Sequence, residues 1–308
     1  MAKLRTDWKG VFPACVTPFA KDGSVDEAAV RKMIDMFLAD GVDGLIIAGS
    51  PGEWFSLSDK ERVDLFALAQ EHTAGRVPVL AGTSTIGTRE AVQLTQAAKK
   101  LGMAGCMVLP PPYALPSRRE VIAHFEEVGK VGLPIMLYNN PPRTSINIDA
   151  ALARDLVKID TIVALKDSTR DLYQKSETIY AVGDTLAMFA GLEPYIMSNV
   201  HRGAVGTVSM MANVCGPDLV EYFGLCAKGR WEEAKGPQKT VDRLYHLLSN
   251  AGAPNYVFVK EAMEILGRAG GGTLRRPYLR VEEATRKKIE AGLAEIPVKR
   301  SGKRLAAE

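Results

Sequence analysis

The sequence is poor in the residues that mark metal centres, disulfide frameworks and nucleic-acid surfaces. Its 308 residues include only four cysteines and four histidines, and none of them forms a CxxC, HxH or HxxxH pair. Metal sites usually show such spacing, so we expect no metal site and four reduced thiols. A net charge of +3 is too weak for a nucleic-acid footprint, so we expect no nucleic-acid partner.

Long hydrophobic runs are also missing. No apolar stretch reaches the roughly 18 to 20 residues that a membrane span needs, and Met1 to Gly10 lack the apolar core of an export signal. We therefore expect no membrane partner. Reduced cysteines are typical of a cytoplasmic protein, so a cytoplasmic location is predicted.

The chain does contain a regular alternation of short apolar runs with segments of helical period. Nearly continuous apolar runs are typical of strands buried on both faces of a parallel sheet. The eight runs are Val11–Phe19, Gly44–Ser50, Val77–Ser84, Gly105–Pro110, Pro134–Asn139, Ile162–Asp167, Leu186–Gly191 and Gly203–Ser209. This repeat predicts an α/β fold, a (β/α)8 TIM barrel. A doubly wound open sheet is the alternative, but it usually carries a glycine-rich loop after its first strand.

The last third of the chain has helical patterns and no strand pattern. The helical candidates are Leu219–Lys228, Trp231–Ser249, Tyr256–Gly267 and Val281–Leu293. We expect the barrel over residues 1–216 and a C-terminal helical extension, packed on the barrel, over residues 217–298. The polar residues 299–308 are predicted to be a disordered tail.

Two reactive side chains end neighbouring strand runs, at the face where TIM barrels carry their chemistry. Lys166 ends the sixth apolar run, and a desolvated, neutral amine can attack a ketone to form an imine. Tyr138 ends the fifth run, where a phenol can move protons. From position alone, the alternatives of a lysine that reaches solvent or pairs with an acid, and of a buried tyrosine with a satisfied hydroxyl, stay open.

Two further features could bind a carboxylate. The loop Gly49–Glu53 can place N–H groups and the Ser50 hydroxyl around an anion, although Ser-Pro-Gly is also an ordinary turn sequence. Arg143 could bind a carboxylate through two parallel hydrogen bonds, although most arginines in loops face solvent.

In combination, these segments resemble the dihydrodipicolinate synthase/N-acetylneuraminate lyase family, from about Gly10 to Leu293. Their order and spacing along one chain carry the resemblance, because each is short by itself. The matching segments are Val16–Phe19, Gly49–Glu53, Gly82–Ser84, Tyr138–Pro141, Leu165–Ser168, Gly203–Ser209, Lys260–Ala262 and Leu274–Tyr278.

The resemblance implies a mechanism. Lys166 would form a Schiff base with pyruvate or a pyruvate-like 2-oxo acid, which would be the small-molecule partner. Tyr138 would be the general acid and base, with its proton passed through the hydroxyl of Ser50. Neither a metal nor an organic cofactor is needed in this family. Its members form homo-oligomers, either dimers or dimers of dimers.

The resemblance also implies a set of binding residues. The loop that contains Pro51 and Gly52 would hold the carboxylate of the 2-oxo acid, and Gly191 and Thr207 would line the same pocket. Arg143 matches the arginine that binds the carboxylate of the second substrate in true dihydrodipicolinate synthases.

Two prolines depart from the family pattern. Pro51 replaces a second hydroxyl residue in the carboxylate loop, and Pro112 replaces a tyrosine that completes the proton relay of the synthases. We therefore favour an imine-forming aldolase or dehydratase that acts on a 2-oxo acid derived from a sugar acid or an amino acid. The alternatives are a true dihydrodipicolinate synthase of lysine biosynthesis and a catalytically weak binding or regulatory protein.

Overall fold

The computed structural model describes residues 4–300. Its eight parallel strands are β1 (Gly10–Pro13), β2 (Leu45–Ile47), β3 (Val79–Gly82), β4 (Gly105–Val108), β5 (Ile135–Asn139), β6 (Ile162–Asp167), β7 (Ala187–Ala190) and β8 (Gly206–Ser209). They form one sheet in the order β1-β8-β7-β6-β5-β4-β3-β2. A parallel bridge from Ala14 to Ile46 joins its two ends. The predicted (β/α)8 barrel is thereby confirmed.

Helices alternate with the strands and then continue alone. They are α1 (Glu27–Asp40), α2 (Asp59–Thr73), α3 (Thr88–Lys100), α4 (Arg118–Gly129), α5 (Pro141–Thr144), α6 (Ala150–Leu156), α7 (Leu172–Val182), α8 (Ile196–His201), α9 (Ala212–Ala227), α10 (Trp231–Asn250), α11 (Asn255–Ile265) and α12 (Glu283–Ala294). Within residues 4–300, no helix combines the length and the apolarity that a membrane crossing requires.

Local sequence signals account for several helix ends. Gly41 follows α1 at a φ of 83°, in the left-handed region that glycine adopts without steric cost. The capping boxes of Ser58 with Glu61 and of Ser117 with Glu120 open α2 and α4. Each satisfies backbone N–H groups that the first helical turn leaves unpaired.

The first strand is shorter than the apolar run Val11–Phe19 that predicted it. β1 ends at Pro13, and the N–H of Val16 donates to the side chain of Asn213 instead of to a neighbouring strand. Pro18 has no N–H to donate to a ladder. The rest of the run is therefore a loop at the C-terminal end of the strand.

Apolar side chains fill the interior of the barrel below the site. Phe12 and Phe189 meet edge to face there, with ring centroids 5.4 Å apart. A larger apolar layer lies between the strands and the surrounding helices. The barrel interior is therefore a packed core, and a ligand can enter only from the end of the barrel.

The predicted division of the chain at residue 217 falls inside α9 and stays a prediction. The backbone leaves helical geometry at Cys215 within this helix. Lys299, the first residue of the predicted disordered tail, donates its N–H to Asp218 over 3.0 Å and lies 2.5 Å from Glu221. Residues 301–308 of that tail lie outside the described residues, and their predicted disorder stays a prediction.

Candidate active site

Lys166 and Tyr138 are neighbours because of the strand register. They are paired directly across β5 and β6, and adjacent residues in a parallel sheet point to the same face. The Nζ of Lys166 lies 3.9 Å from the centroid of the Tyr138 ring. Both side chains are buried, so the amine and the phenol share one desolvated environment.

Burial makes the Lys166 amine unusually easy to deprotonate. Desolvation lowers the pKa of Lys166 to about 7, and the negative charge of Glu193 opposes this shift only in part. Among residues 4–300, no carboxylate lies within ion-pair distance of the amine. A large fraction of the amine is therefore neutral near pH 7, the form that attacks a ketone.

The phenol of Tyr138 remains protonated. Burial raises the pKa of Tyr138, although hydrogen bonds with Asn140 and Ser168 oppose the shift. The Nδ2 of Asn140 donates to the phenol oxygen over 2.7 Å. The phenol is thus held in position as a proton donor beside the amine.

The predicted proton path through Ser50 stays a prediction. Among the described residues, the interaction with the Ser50 hydroxyl lowers the pKa of Tyr256 on α11, and the interactions with Asn140 and Ser168 lower that of Tyr138, against the larger effect of burial in both cases. Ser168 in turn donates to the carbonyl oxygen of Gly191 over 3.2 Å. Ser168, which also lines the cavity, is therefore a second hydroxyl that could exchange a proton with the phenol.

A cavity of about 300 Å³ opens above these side chains. Its walls come from loops that follow the strands and from α10 and α11 of the helical extension. The lining residues are Ala14, Pro51, Tyr138, Asn140, Pro142, Arg143, Lys166, Ser168, Arg170, Gly191, Leu192, Glu193, Met210, Tyr245, Asn255 and Tyr256. The size lies at the lower end of the range for small-molecule sites, about 300 to 1,000 Å³.

The remaining predicted residues fall into two groups. Pro51, Arg143 and Gly191 line the cavity. Gly52 and Thr207 are not among the lining residues: the Gly52 carbonyl accepts from the Thr17 hydroxyl over 2.7 Å, and the Thr207 hydroxyl donates to Ala190 over 3.0 Å. These two residues therefore lie outside the cavity lining and form hydrogen bonds within the surrounding structure.

Gly191 is required by a close approach between two loops. A Cβ atom at this position would lie 2.1 Å from Oγ of Ser168 and 2.7 Å from the carbonyl oxygen of Asp167. Any side chain would therefore displace the loop that follows β6. Gly191 thus sets the distance between the strand end that carries Lys166 and the end of β7.

A buried ion pair anchors the loop that contains Ser50 and Pro51. Glu53 lies 2.6 Å from Nζ of Lys260 on α11, and both side chains are almost fully buried. Lys260 also donates to the carbonyl oxygen of Thr273 over 2.8 Å, and the N–H of Arg275 donates to Glu53 over 3.2 Å. The helical extension therefore holds the loop against the cavity.

Sequence reasoning missed Glu193, the one acidic side chain that lines the cavity within the described residues. Its Oε1 accepts from the Ser209 hydroxyl over 2.7 Å and from the N–H of Met211 over 3.0 Å. Glu193 follows the end of β7, so strand order could have suggested it. No sequence signal pointed to Tyr245, Asn255 and Tyr256, because α10 and α11 follow the last strand.

Comparison with known proteins assigns the family. Residues 7–296 match the sequence model of the Dihydrodipicolinate synthetase family. The chain belongs to this family. It is a lyase of that family, as the resemblance of the sequence predicted.

Relatives in the dihydrodipicolinate synthetase family match nearly the whole chain. An "uncharacterized DapA-like lyase" of Rhizobium meliloti is 48% identical over 293 residues, 95% of this chain and 97% of the relative. A 4-hydroxy-tetrahydrodipicolinate synthase of Thermomicrobium roseum is 34% identical and covers 94% of this chain and 95% of its own. The solved structure of YagE, a prophage protein of Escherichia coli K12 in complex with pyruvate, has a TM-score of 0.91 at 27% identity and covers 96% of this chain and all of its own.

The loop after β4 contains Pro112, which the resemblance of the sequence aligns with the relay tyrosine of the synthases, and that correspondence stays a prediction. The adjacent Tyr113 is 87% exposed at a φ of 70°. Tyr113 is not among the residues that line the cavity. Within one chain, neither residue supplies a hydroxyl to Tyr138.

Proposed function

We propose that the protein is a Schiff-base-forming lyase that captures a pyruvate-like 2-oxo acid through Lys166. One observation carries the proposal: a buried amine with a pKa lowered to about 7 lies 3.9 Å from the ring of Tyr138, and both side chains line one cavity. An isolated lysine at a strand end would have neither the lowered pKa nor the phenol beside it.

The reaction follows from these two groups. The neutral amine attacks the ketone carbon C2, and the carbinolamine oxygen takes a proton from Tyr138 and leaves as water. The protonated imine withdraws electrons from C3. In an aldolase, the C4 hydroxyl gives up a proton and the C3–C4 bond breaks; its electron pair forms an enamine, which then takes a proton at C3 and becomes an imine again. In a dehydratase, C3 loses a proton to give the enamine, whose electron pair expels the C4 hydroxyl as water once that hydroxyl has taken a proton. Water finally attacks the imine carbon, and the resulting carbinolamine releases the 2-oxo acid product and the amine of Lys166.

Pro51 reduces the number of hydrogen-bond donors available to the C1 carboxylate of the 2-oxo acid. A residue with an N–H and a hydroxyl could donate two hydrogen bonds there, and proline can donate neither. Such charge-assisted bonds contribute roughly 1.5–3 kcal/mol each. The carboxylate therefore depends on the neighbouring donors of the loop.

Replacement of Pro51 by threonine is expected to tighten pyruvate binding about tenfold or more, because it restores donors at the loop. The measurement is the pyruvate concentration that gives half-maximal trapping by borohydride. A Pro51→Ala protein is the matched control, since it restores the N–H without the hydroxyl. Unchanged affinity in both variants would show that the carboxylate binds elsewhere.

Borohydride trapping tests the proposed function directly. The protein is incubated with pyruvate and a panel of 2-oxo acids, treated with borohydride, weighed and digested. We expect a stable mass increase on the peptide that contains Lys166. The absence of an adduct with every 2-oxo acid would favour the binding or regulatory protein. Turnover with pyruvate and aspartate semialdehyde would instead favour the synthase, which Arg143 and the similarity to the Thermomicrobium roseum synthase support.

We also infer that the protein is a cytoplasmic homo-oligomer. Large apolar side chains are exposed in the loops that follow β2, β3 and β4, three neighbouring strands. They are Phe55, Ile86, Tyr113 and Leu115. Exposed apolar patches of this kind are typical of protein interfaces, and a second copy of the chain fits the family pattern of dimers or dimers of dimers.

A further inference from the structure

The strand ends that carry Lys166 and Tyr138 are joined a second time, on the opposite face of the sheet. The next register pair is Asn139 with Asp167, and successive side chains of a strand point to opposite faces. The Nδ2 of Asn139 donates to Oδ1 of Asp167 over 3.1 Å, and both residues are buried. This hydrogen bond therefore ties β5 to β6 directly beside the two reactive residues.

Lys175 of α7 holds Asp167 from the side of the helices. Its Nζ donates to the carbonyl oxygen of Asp167 over 2.8 Å and lies 3.9 Å from Oδ1 of the same residue. Oδ1 also accepts from the N–H of Thr169 over 2.8 Å. Among residues 4–300, Lys175 is the only cation within ion-pair distance of this carboxylate. The position of Asp167 is therefore fixed by β5, by the loop after β6 and by α7.

The ion pair of Asp167 and Lys175 is almost fully desolvated. The two side chains are 6% and 2% exposed. Burial raises the pKa of Asp167 and lowers that of Lys175, while each charge opposes the shift of the other. Apolar residues of similar volume often stabilise a protein as well as a buried ion pair does. Folding stability alone therefore does not explain why two charges lie buried beside the reactive residues.

We propose that Asp167, held by Lys175, is a positioning residue that fixes the placement of Tyr138 relative to Lys166. The inference rests on the proposed function, because it concerns the proton that the phenol delivers to the carbinolamine oxygen. That transfer requires hydrogen-bond distance between the phenol and this oxygen, and a displacement of about 1 Å can slow a reaction about 10²-fold. Asp167 does not line the cavity, so it acts only through the strand ends.

A double variant, Asp167→Val with Lys175→Met, separates positioning from folding. It removes the ion pair and the acceptor for Asn139, and it should still fold because apolar residues replace both charges. Imine formation with saturating pyruvate is expected to be about tenfold or more slower than in the wild-type protein, with an unchanged final yield of borohydride-stable adduct. Rapid mixing measures the rate at a pH well above the pKa of Lys166, so that a change in that pKa does not contribute. Asp167→Asn, which keeps the side-chain shape and weakens the acceptor, should slow the reaction in the same sense.

The Tyr138→Phe background shows whether the effect passes through the phenol. A positioning role predicts that the double variant slows imine formation by less than about twofold in this background, because no phenol remains to be misplaced. Equal slowing in both backgrounds would overturn the proposal, since it would reveal a general structural effect. An unchanged rate in the background that retains Tyr138 would overturn it as well.

Lys158→Met is the control for the loss of a lysine–aspartate pair. The exposed Lys158, just after α6, lies 2.8 Å from Asp155, so its replacement should leave the rate unchanged. A wild-type protein that forms no adduct with any 2-oxo acid would overturn the proposed function together with this inference. A wild-type adduct that the double variant forms equally fast would overturn the positioning role alone.

Discussion

A Lys166→Ala protein is expected to form no borohydride-stable adduct with any 2-oxo acid and to lose turnover by at least about 10⁴-fold. The amine supplies the only covalent bond between protein and substrate in the proposed reaction, so its removal abolishes the imine on which the later steps depend. Intact-mass spectrometry checks the adduct, and single-turnover kinetics check the rate. A Lys100→Ala protein, changed at an exposed lysine of α3, should keep both.

The two other buried lysines near the site are already engaged. Lys175 donates to the carbonyl oxygen of Asp167 over 2.8 Å. Lys260 lies 2.6 Å from Glu53, although burial also lowers its pKa, to about 8. Neither lines the cavity. An adduct that persists at full yield in Lys166→Ala would therefore contradict the catalytic assignment and direct attention to one of these amines.

The rate of imine formation should depend on pH in a direction set by Lys166. Its pKa is lowered from 10.5 to about 7, and only the neutral amine attacks. The rate should therefore rise with pH up to about 7 and level off above it. Rapid-mixing measurements in the unliganded protein check this profile. A midpoint near 10 would show that the amine is not desolvated in solution.

The fold was predictable because its signals are local. Several strand runs are nearly continuous apolar stretches, and each capping box lies within four residues. The same regularity revealed Lys166 and Tyr138, since both end adjacent strands and the register then places them side by side. Side chains point to alternate faces along a strand, which explains why Thr207 does not share the environment of Val208. The Thr207 hydroxyl donates to Ala190, whereas Val208 packs inside the barrel.

The rest of the site depends on contacts distant in sequence. Tyr245 and Tyr256 reach the cavity from helices that follow the last strand, and no spacing rule relates them to Lys166. The partner of Ser50 is likewise set by the packing of α11 against the loop after β2, which the pair of Glu53 and Lys260 stabilises. The wall that these helices contribute to the cavity therefore becomes apparent only in the folded structure.

A Tyr138→Phe protein is expected to lose about 10²- to 10⁴-fold in turnover, the usual contribution of a general acid or base. Phenylalanine keeps the ring over the amine and removes only the hydroxyl. The apparent affinity for the 2-oxo acid should change little, because loop donors and Lys166 remain. Steady-state kinetics with a 2-oxo acid that the protein turns over would measure kcat and KM separately. Borohydride trapping would measure how fast the adduct forms.

The control for Tyr138 is Tyr180→Phe, which removes the hydroxyl of a tyrosine on α7 that is 78% exposed. It should leave the rate and the adduct unchanged. In Tyr138→Phe the adduct should still form, but more slowly, because the carbinolamine oxygen must then take its proton from water. Unchanged turnover would show that another group, such as the neighbouring Ser168, delivers the proton. A lost adduct in a folded protein would show that the phenol positions Lys166 instead of transferring protons.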